Sequence, residues 1–485
     1  MRDKDIWKIL AISVAFVIVA SSVAIFSTAN FGIGEERIEE SGGKGIISLV
    51  PPPFIEVAGA SKSYVAATNL DTNESFSSIQ AAIDDQDTKC GHTITINPGY
   101  YIENVNVYKS LTIKSVEWNP NNTVIKAADS SDPVINITAN NVSIIGLRTE
   151  GSTTPFATGI LLFNVSHCNI ANCFATMNCN GIAMMSSSDN RLYNNSASLN
   201  RYHGIALISS NNNIIEHNNI SESEINGISL EKSANNLILN NIQESNHVFG
   251  IQLLSSDYNT LTQNRASNNT NNGIYLRDSN NNKVINNTAV ENRRHGISLG
   301  TSNNTEIQDN TAARNTYQGI GLWDSEGNVI VNNLVLNNGD NGIYLNNANG
   351  NRIAGNNASY NNRSGINLYS SANLLSSKEN VIENNLALNN SGDGITLWNS
   401  ERNVVLNNLA LNNGDNGIYL NNANDNRIIG NNASYNKGSG IFVHSSTSEI
   451  RQNVANSNFC EGIETYNSDE SIVEENICEN NNNYK

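Results

Sequence analysis

From residue 159 onward, apolar and polar positions follow a unit that returns every 23 residues. Each unit opens on Gly-Ile, at Gly159, Gly181, Gly204, Gly227, Gly250, Gly273, Gly296, Gly319, Gly342, Gly365, Gly394, Gly417, Gly440 and Gly462. Ten of the thirteen steps are 23 residues, two are 22, and one is 29, with an insertion around residues 371–379. With the Gly as position zero, +1 is Ile in all fourteen copies, while +3 is Leu and +6 is Ser in eleven each. Period-two spacing places Ile and Leu on one face of a strand. A second alternation near +11 (Ile238, Val284, Ile330) and a third beginning at Ala near +16 predict two more short strands per unit. Asn holds +14 in thirteen copies once the indels are allowed for, with Cys173 the exception, and dominates +9 and +19. Asn tolerates the left-handed backbone of tight corners, and identical Asn stacked from copy to copy can hydrogen bond in a ladder. No Pro occurs after Pro155, as strands that donate to both neighbours require. These features predict an all-β chain, a single-stranded parallel β-helix. A leucine-rich repeat of similar period would need more Leu and a helical return.

Upstream, residues 64–158 read as a cap with irregular coils. A short amphipathic helix over 79–83 begins at a capping box, Ser77-x-x-Gln80, and strand-like pieces follow at 93–96, 104–107, 111–114, 134–137 and 141–145. With the regular coils of 159–485, about eighteen coils are expected. At the start of the chain, Arg2, Lys4 and Lys8 precede an uncharged apolar run, residues 9–26, which predicts a hydrophobic helix. Residues 1–29 are therefore a membrane anchor or a cleaved signal, with the bulk of the chain extracellular. Gly-rich stretches and Pro51, Pro52 and Pro53 mark 30–63 as a linker.

Composition sharpens this picture. The 485 residues include 92 Asn, yet 38% are hydrophobic, too many for simple disorder. A net charge of −17 speaks against nucleic acid as a partner, because phosphate contacts need clustered Lys and Arg. Residues 333–361 and 408–436 are nearly identical, so some repeated surface residues are copies of one another.

The stretch at 78–83 (Ser-Ile-Gln-Ala-Ala-Ile), the Ile94-Thr-Ile-Asn-Pro-Gly-Tyr-Tyr-Ile-Glu-Asn104 segment and the Gly-Ile-x-Leu…Asn-x-Ile-x-x-Asn coils resemble the NosD-like right-handed parallel β-helix proteins of the pectin-lyase-like superfamily. The resemblance spans roughly residues 64–485. It implies the fold; the superfamily hosts lyases, hydrolases, epimerases, adhesins and maturation factors, so it leaves the activity open.

Outward positions must carry function. On the first strand, +2 and +4 point to solvent and include Tyr275, Trp323, Tyr344, Tyr369, Trp398, Tyr419, Phe442 and Tyr466, eight of the 31 aromatics. Aromatic faces stack on sugar rings while amides and carboxylates bond hydroxyls, so these residues, with Asp324, Asp340, Asp393 and Asp415 nearby, are the carbohydrate-binding candidates. Exposed strand positions also favour aromatics for structural reasons. Arg201 and His203, and Arg293, Arg294 and His295, recur at one coil position four coils apart; each His is a base or a sugar contact, or a solvated strand-edge residue. His167, Cys168, Cys173, Met177, Cys179 and Met185 cluster in sequence and are the soft donors copper(I) prefers. NosD-like proteins are associated with copper-site maturation, which makes a copper-handling accessory protein one alternative. However, Cys168 and Cys173 occupy Asn positions, as buried small residues would. No cofactor is demanded by the coil; copper and calcium are the ions left open. No motif fixes a carboxylate pair of the kind glycoside hydrolysis needs. The expectation is thus an extracellular, membrane-tethered surface protein that binds a polysaccharide or a cell-envelope glycan or protein, with a polysaccharide-processing enzyme as the other alternative.

Overall fold

The computed structural model describes residues 64–371 and 377–482. The apolar segment 9–26 and the linker 30–63 lie outside the described residues. Among the described residues, no helix is long and apolar enough to cross a membrane.

The chain begins as a cap. Strand β1 (Ala67–Asn69) pairs antiparallel with both β2 (Glu74–Phe76) and β3 (Thr93–Ile96). Helix α1 (Ile79–Asp84) buries Ile79, Ala82 and Ile83 against them. Its N-cap is Ser78, whose Oγ accepts from the Ala81 amide at 3.1 Å, one residue later than the expected Ser77. The capping box fails because Gln80 is engaged elsewhere, bonding both sides of the Asn106 backbone. The carboxylate of Glu103 takes its place, accepting from the amides of Ile79 and Gln80 at 3.1 Å each.

From β3 onward the strands run parallel in three sheets. The first sheet, containing the Gly-Ile strands, has 16 strands. Coils therefore number about sixteen rather than the expected eighteen, because the strand pieces between 104 and 145 make only two coils ahead of the fourteen Gly-Ile coils. The second sheet runs the same length and the third is divided into a four-stranded and a nine-stranded section. Register is constant: Ile274 pairs with Ile297 and Leu276 with Leu299, coil upon coil. The interior of one coil is Ile297, Leu299, Ile307 and Ala312, all fully buried. Each large side chain removed from water contributes about 1.5–3 kcal/mol, so every coil adds a similar increment.

Two different residues make each corner. The left-handed position is taken by the residue before the ladder position, as at Asp278, Asn281, Asn286 and Glu291, with φ of 50°, 56°, 57° and 59°. Ser279, Asn282, Asn287 and Asn292 follow and turn inward, buried. Asn264 is representative. Its Nδ2 donates to the Ile238 carbonyl at 2.8 Å and to Asn287 Oδ1 at 3.0 Å, and its Oδ1 accepts from the Asn241 amide at 3.0 Å. One side chain thus ties three coils together and satisfies backbone groups that water cannot reach. The Asn-Asn pairs of the sequence are this division of labour: the first bends the chain, the second bonds.

The 29-residue step is accommodated without loss of register. Ser377 takes the ladder place that Ser371 would hold, accepting from the Ala348 amide at 3.2 Å, so the six extra residues are 371–376. They follow Ser370, one residue beyond Tyr369.

Candidate functional site

The outer face of the first sheet carries three rows of side chains. Two were expected, at +2 and +4. The third is −1, the residue before each Gly, which strict alternation assigns to the interior. The Gly breaks that alternation. A Cβ on Gly296 would point inward and meet the Gly319 carbonyl at 2.6 Å, Asn315 Nδ2 at 2.7 Å and the Ala312 methyl at 3.0 Å. Gly and Ile therefore both face the interior, and −1 joins the outer face. Only a residue without Cβ fits there, because backbone and ladder amide approach too closely.

Row −1 forms the floor of the face. Asn226, Asn272, Asn341 and Asn416 lie in it, buried, together with His203, His295 and Asp393. Side-chain oxygens of Asn272, Asn341 and Asn416 accept the amides of His295, Ser364 and Ser439 at 3.1, 3.1 and 2.9 Å. This ladder runs opposite in sense to the interior ones, with the acceptor on the earlier coil.

Aromatic rings cover the floor in two runs. Trp323 sits between His295, 5.0 Å centroid to centroid, and Tyr344 at 5.8 Å, and Tyr344 stacks on Tyr369 at 6.4 Å. Trp398 meets Tyr419 edge-on at 6.3 Å, and the run continues through Phe442 at 5.4 Å to His444 and Tyr466. Tyr275 stands apart, stacked at 4.8 Å on Phe249 of the preceding coil, a row −1 residue. Most of these rings are half-buried against each other, while Trp398 and Tyr466 are exposed. Spacings of 4.5–7 Å are those of favourable aromatic pairs. Between the runs, Tyr369 and Trp398 are register partners.

The acidic candidates separate. Asp393 is buried, accepting from Thr396 Oγ1 at 2.8 Å and from the amide and Nδ2 of Asn416 at 3.0 Å each. Burial, and then the neighbouring Asp415 carboxylate, push its pKa up to about 6. Asp415 is exposed on the next coil, and the strands that carry Trp398 and Tyr419 begin just after the pair, at Ile395 and Ile418. Asp340, half-buried, accepts from Gln318 Nε2 at 2.9 Å and faces Arg363 at 3.4 Å. Asp324 stands outside the face, on a left-handed corner, accepting from Asn347.

The histidines are not solvated strand-edge residues. His203 and His295 are 7% and 8% exposed, and each has an Nδ1 without a hydrogen-bond partner. Desolvation lowers His203 to about 4; desolvation and the Arg294 charge lower His295 to about 3. Both are neutral imidazoles in the floor, four coils apart, and do not form one site. Arg294 lies over the Tyr317 ring at 5.8 Å, Arg293 is exposed, and Arg201 bonds the Thr153 carbonyl at 3.1 Å.

The soft donors do not converge. His167 and Met177 are exposed on different corners, and Cys168 and Cys173 point inward as ladder residues, capped by Asn190 and Asn195. Met185 lies on the outer face, packed against Leu161, Ala183 and Ala206. Burial pushes the Cys173 and Cys179 thiols up to about 11 and raises that of Cys168, so all three are held as thiols, whereas a metal needs thiolate. Residues 167–185 do not fit a copper centre. The six cysteines are free, with no bridge between Cys168 and Cys173. Glu74, Asp85 and Asp87 at the cap bring carboxylate oxygens within 4.8 Å of one another, an oxygen-only group unlike a copper site.

Comparison with known proteins agrees with this architecture. The family described as right handed beta helix region matches residues 249–385 and 330–483. The family described as periplasmic copper-binding protein (NosD) matches residues 83–272. A cell surface glycoprotein of Methanothermus fervidus is 40% identical over 116 residues, which are 24% of this chain and 18% of that protein. The chain thus aligns with less than a fifth of that relative's length. Among solved structures, the catalytic unit of a GH87 alpha-1,3-glucanase from Streptomyces thermodiastaticus superposes with TM-score 0.51 at 14% identity, covering 63% of this chain and 65% of that one. The Dettilon tailspike protein superposes with TM-score 0.47 at 16% identity, covering 66% and 64%. At 14% identity the glucanase structure speaks to fold alone. Coil geometry, ladders and the match to the right handed beta helix region make the described chain a right-handed parallel β-helix repeat protein, similar over residues 83–272 to the NosD family.

Proposed function

We propose that this is a cell-surface β-helix protein that binds carbohydrate along the outer face of its first sheet. The observation that carries the reading is the pair of continuous aromatic runs, with amide and carboxylate groups in the row beside them. Stacked rings present apolar faces to the hydrophobic side of sugar rings, and Asp415, Asn416 and Asp340 offer hydroxyl partners. Successive coils lie about 4.8 Å apart, so ring follows ring in steps comparable to the length of a sugar unit. The similarity to a protein named cell surface glycoprotein supports the location at the cell surface. Anchoring through residues 9–26 belongs to the same proposal. The test is a glycan array probed with residues 64–485, followed by titration of any binder against Trp398→Ala and Tyr419→Ala. Each ring is expected to cost roughly 2- to 12-fold in affinity. Binding to no glycan, or unchanged affinity in both variants, would sink the reading.

A second reading has one specific observation in its favour: Asp393, a carboxyl whose pKa is raised to about 6, has the Asp415 carboxylate as its neighbour. An acid and a carboxylate side by side are the elements of glycoside chemistry. Loss of polysaccharide cleavage in Asp393→Asn, with glycan binding retained, would support it; absence of cleavage by the unaltered protein removes it.

A further inference from the structure

The chain contains Asn-x-Ser/Thr triplets, and the fold sorts them. Behind a ladder Asn at +9 or +14, the residue two places on faces the interior: Ile215 after Asn213, Ala266 after Asn264, Ala289 after Asn287. A hydroxyl there would be buried in the apolar core, so these ladder asparagines do not carry the triplet. A corner Asn stands one residue earlier, and the residue two places beyond it faces out. Asn141, Asn164, Asn286 and Asn389 are such corners, with φ of 58°, 51°, 57° and 55°, and all four are exposed. Ser143, Ser166, Thr288 and Ser391 complete their triplets, and none of these hydroxyl residues is buried. In Asn357 and Asn432 the opposite holds. Their Oδ1 atoms accept from Ser359 and Ser434 at 2.5 and 2.6 Å, and both serines are 1% exposed.

We propose that the corner asparagines Asn141, Asn164, Asn286 and Asn389 are acceptors for N-linked glycan, and that Asn357 and Asn432 are not. The donor class is an oligosaccharide linked through its anomeric carbon to a lipid phosphate. The Asn Nδ2–C1 bond forms, the C1–O bond to phosphate breaks, and one amide proton leaves with the lipid phosphate. A left-handed corner presents the side-chain amide away from the coil, and the hydroxyl two residues on lies open to the same solvent. Glycans at these positions project from corners, and none displaces a ladder bond. The proposal rests on the surface location and is independent of whether the aromatic face binds sugar.

The test is glycopeptide mapping by mass spectrometry of the full chain isolated from cells that make it. Thr288→Ala and Ser391→Ala variants, which leave both corner asparagines in place, accompany it. Glycan on the four corner sites, bare Asn357 and Asn432, and loss of one glycan mass per variant are expected. A bare protein, glycan on Asn357 or Asn432, or unchanged mass in both variants overturns the assignment. Array binding by the same preparation reads the aromatic face separately.

Discussion

At the residue scale, one amino-acid type does two jobs, and adjacent positions separate them. Asn264 serves five groups on its own and neighbouring coils, whereas Asn286 holds the left-handed bend of a corner. Asn264→Ala orphans several buried polar groups at about 1–3 kcal/mol each, so a loss on the order of 3–5 kcal/mol is expected. Asn286→Ala pays only the left-handed backbone cost, about 1–2 kcal/mol. Equal effects in denaturant unfolding would contradict this division. Titration belongs to the same scale. Unfolding returns His203 and His295 to about 6.5, so the unfolded state binds more protons below that pH. Their contribution is present above about 6.5 and is lost as pH falls toward 4 and 3. Asp393 has the opposite sign: its raised pKa makes the folded state the better proton binder between about 4 and 6, so stability falls as pH rises through that window. Asn is the commonest occupant of this row, at five of fourteen positions. Asp393→Asn is thus expected to raise Tm at pH 7 and not at pH 4, and His203→Asn with His295→Asn to flatten the acid side. Each effect is on the order of 1–3 kcal/mol. Thermal melts from pH 4 to 7 read both, and parallel curves for all variants would refute the assignment.

At the element scale, the first strand is set by its Gly. Ile-x-Leu alternation was legible, because period two is the signature of a half-buried strand. The inward turn of Gly was not, because it depends on the carbonyl of the next coil's Gly and the ladder amide closing over it. That missed step hid the floor of the face: strict alternation assigns Asn226, Asn272, Asn341 and Asn416 to the interior, with no outward role. Gly296→Ala is expected to destabilise by about 2–4 kcal/mol, since a Cβ would meet backbone rather than a yielding side chain. Near-native urea midpoints for that variant would show that the coil can open enough to admit a methyl.

At the scale of the whole molecule, contacts run between neighbouring coils, and stability is close to a sum over coils. Removing one complete unit, residues 297–319, brings Gly296 onto Ile320 and joins equivalent ladder positions. Such a chain is expected to keep its far-ultraviolet circular dichroism per residue and a Tm within a few degrees, whereas removing twelve residues shifts a strand into a corner and unfolds the array. A cooperative collapse in the 23-residue deletion would argue against coil-wise additivity. The same periodicity explains why the aromatic face is extended rather than a cleft. Each coil contributes one set of outward residues in register, so the same face is presented again one step on.

Period, strand count per coil, the Asn columns and the outward aromatics followed from the order of residues alone, because each is a local alternation or a fixed spacing. What only the tertiary structure decided was who neighbours whom across coils. It placed row −1 on the outer face, buried His203 and His295, set Asp393 beside Asp415, and scattered the soft donors of 167–185 over inside, corner and face. Those outcomes depend on how closely one coil approaches the next, a distance that a repeat written in one dimension does not contain. The sequence by itself determined a solenoid with an aromatic edge; stacking decided which of its polar groups bond within the ladders and which stand on the outer face.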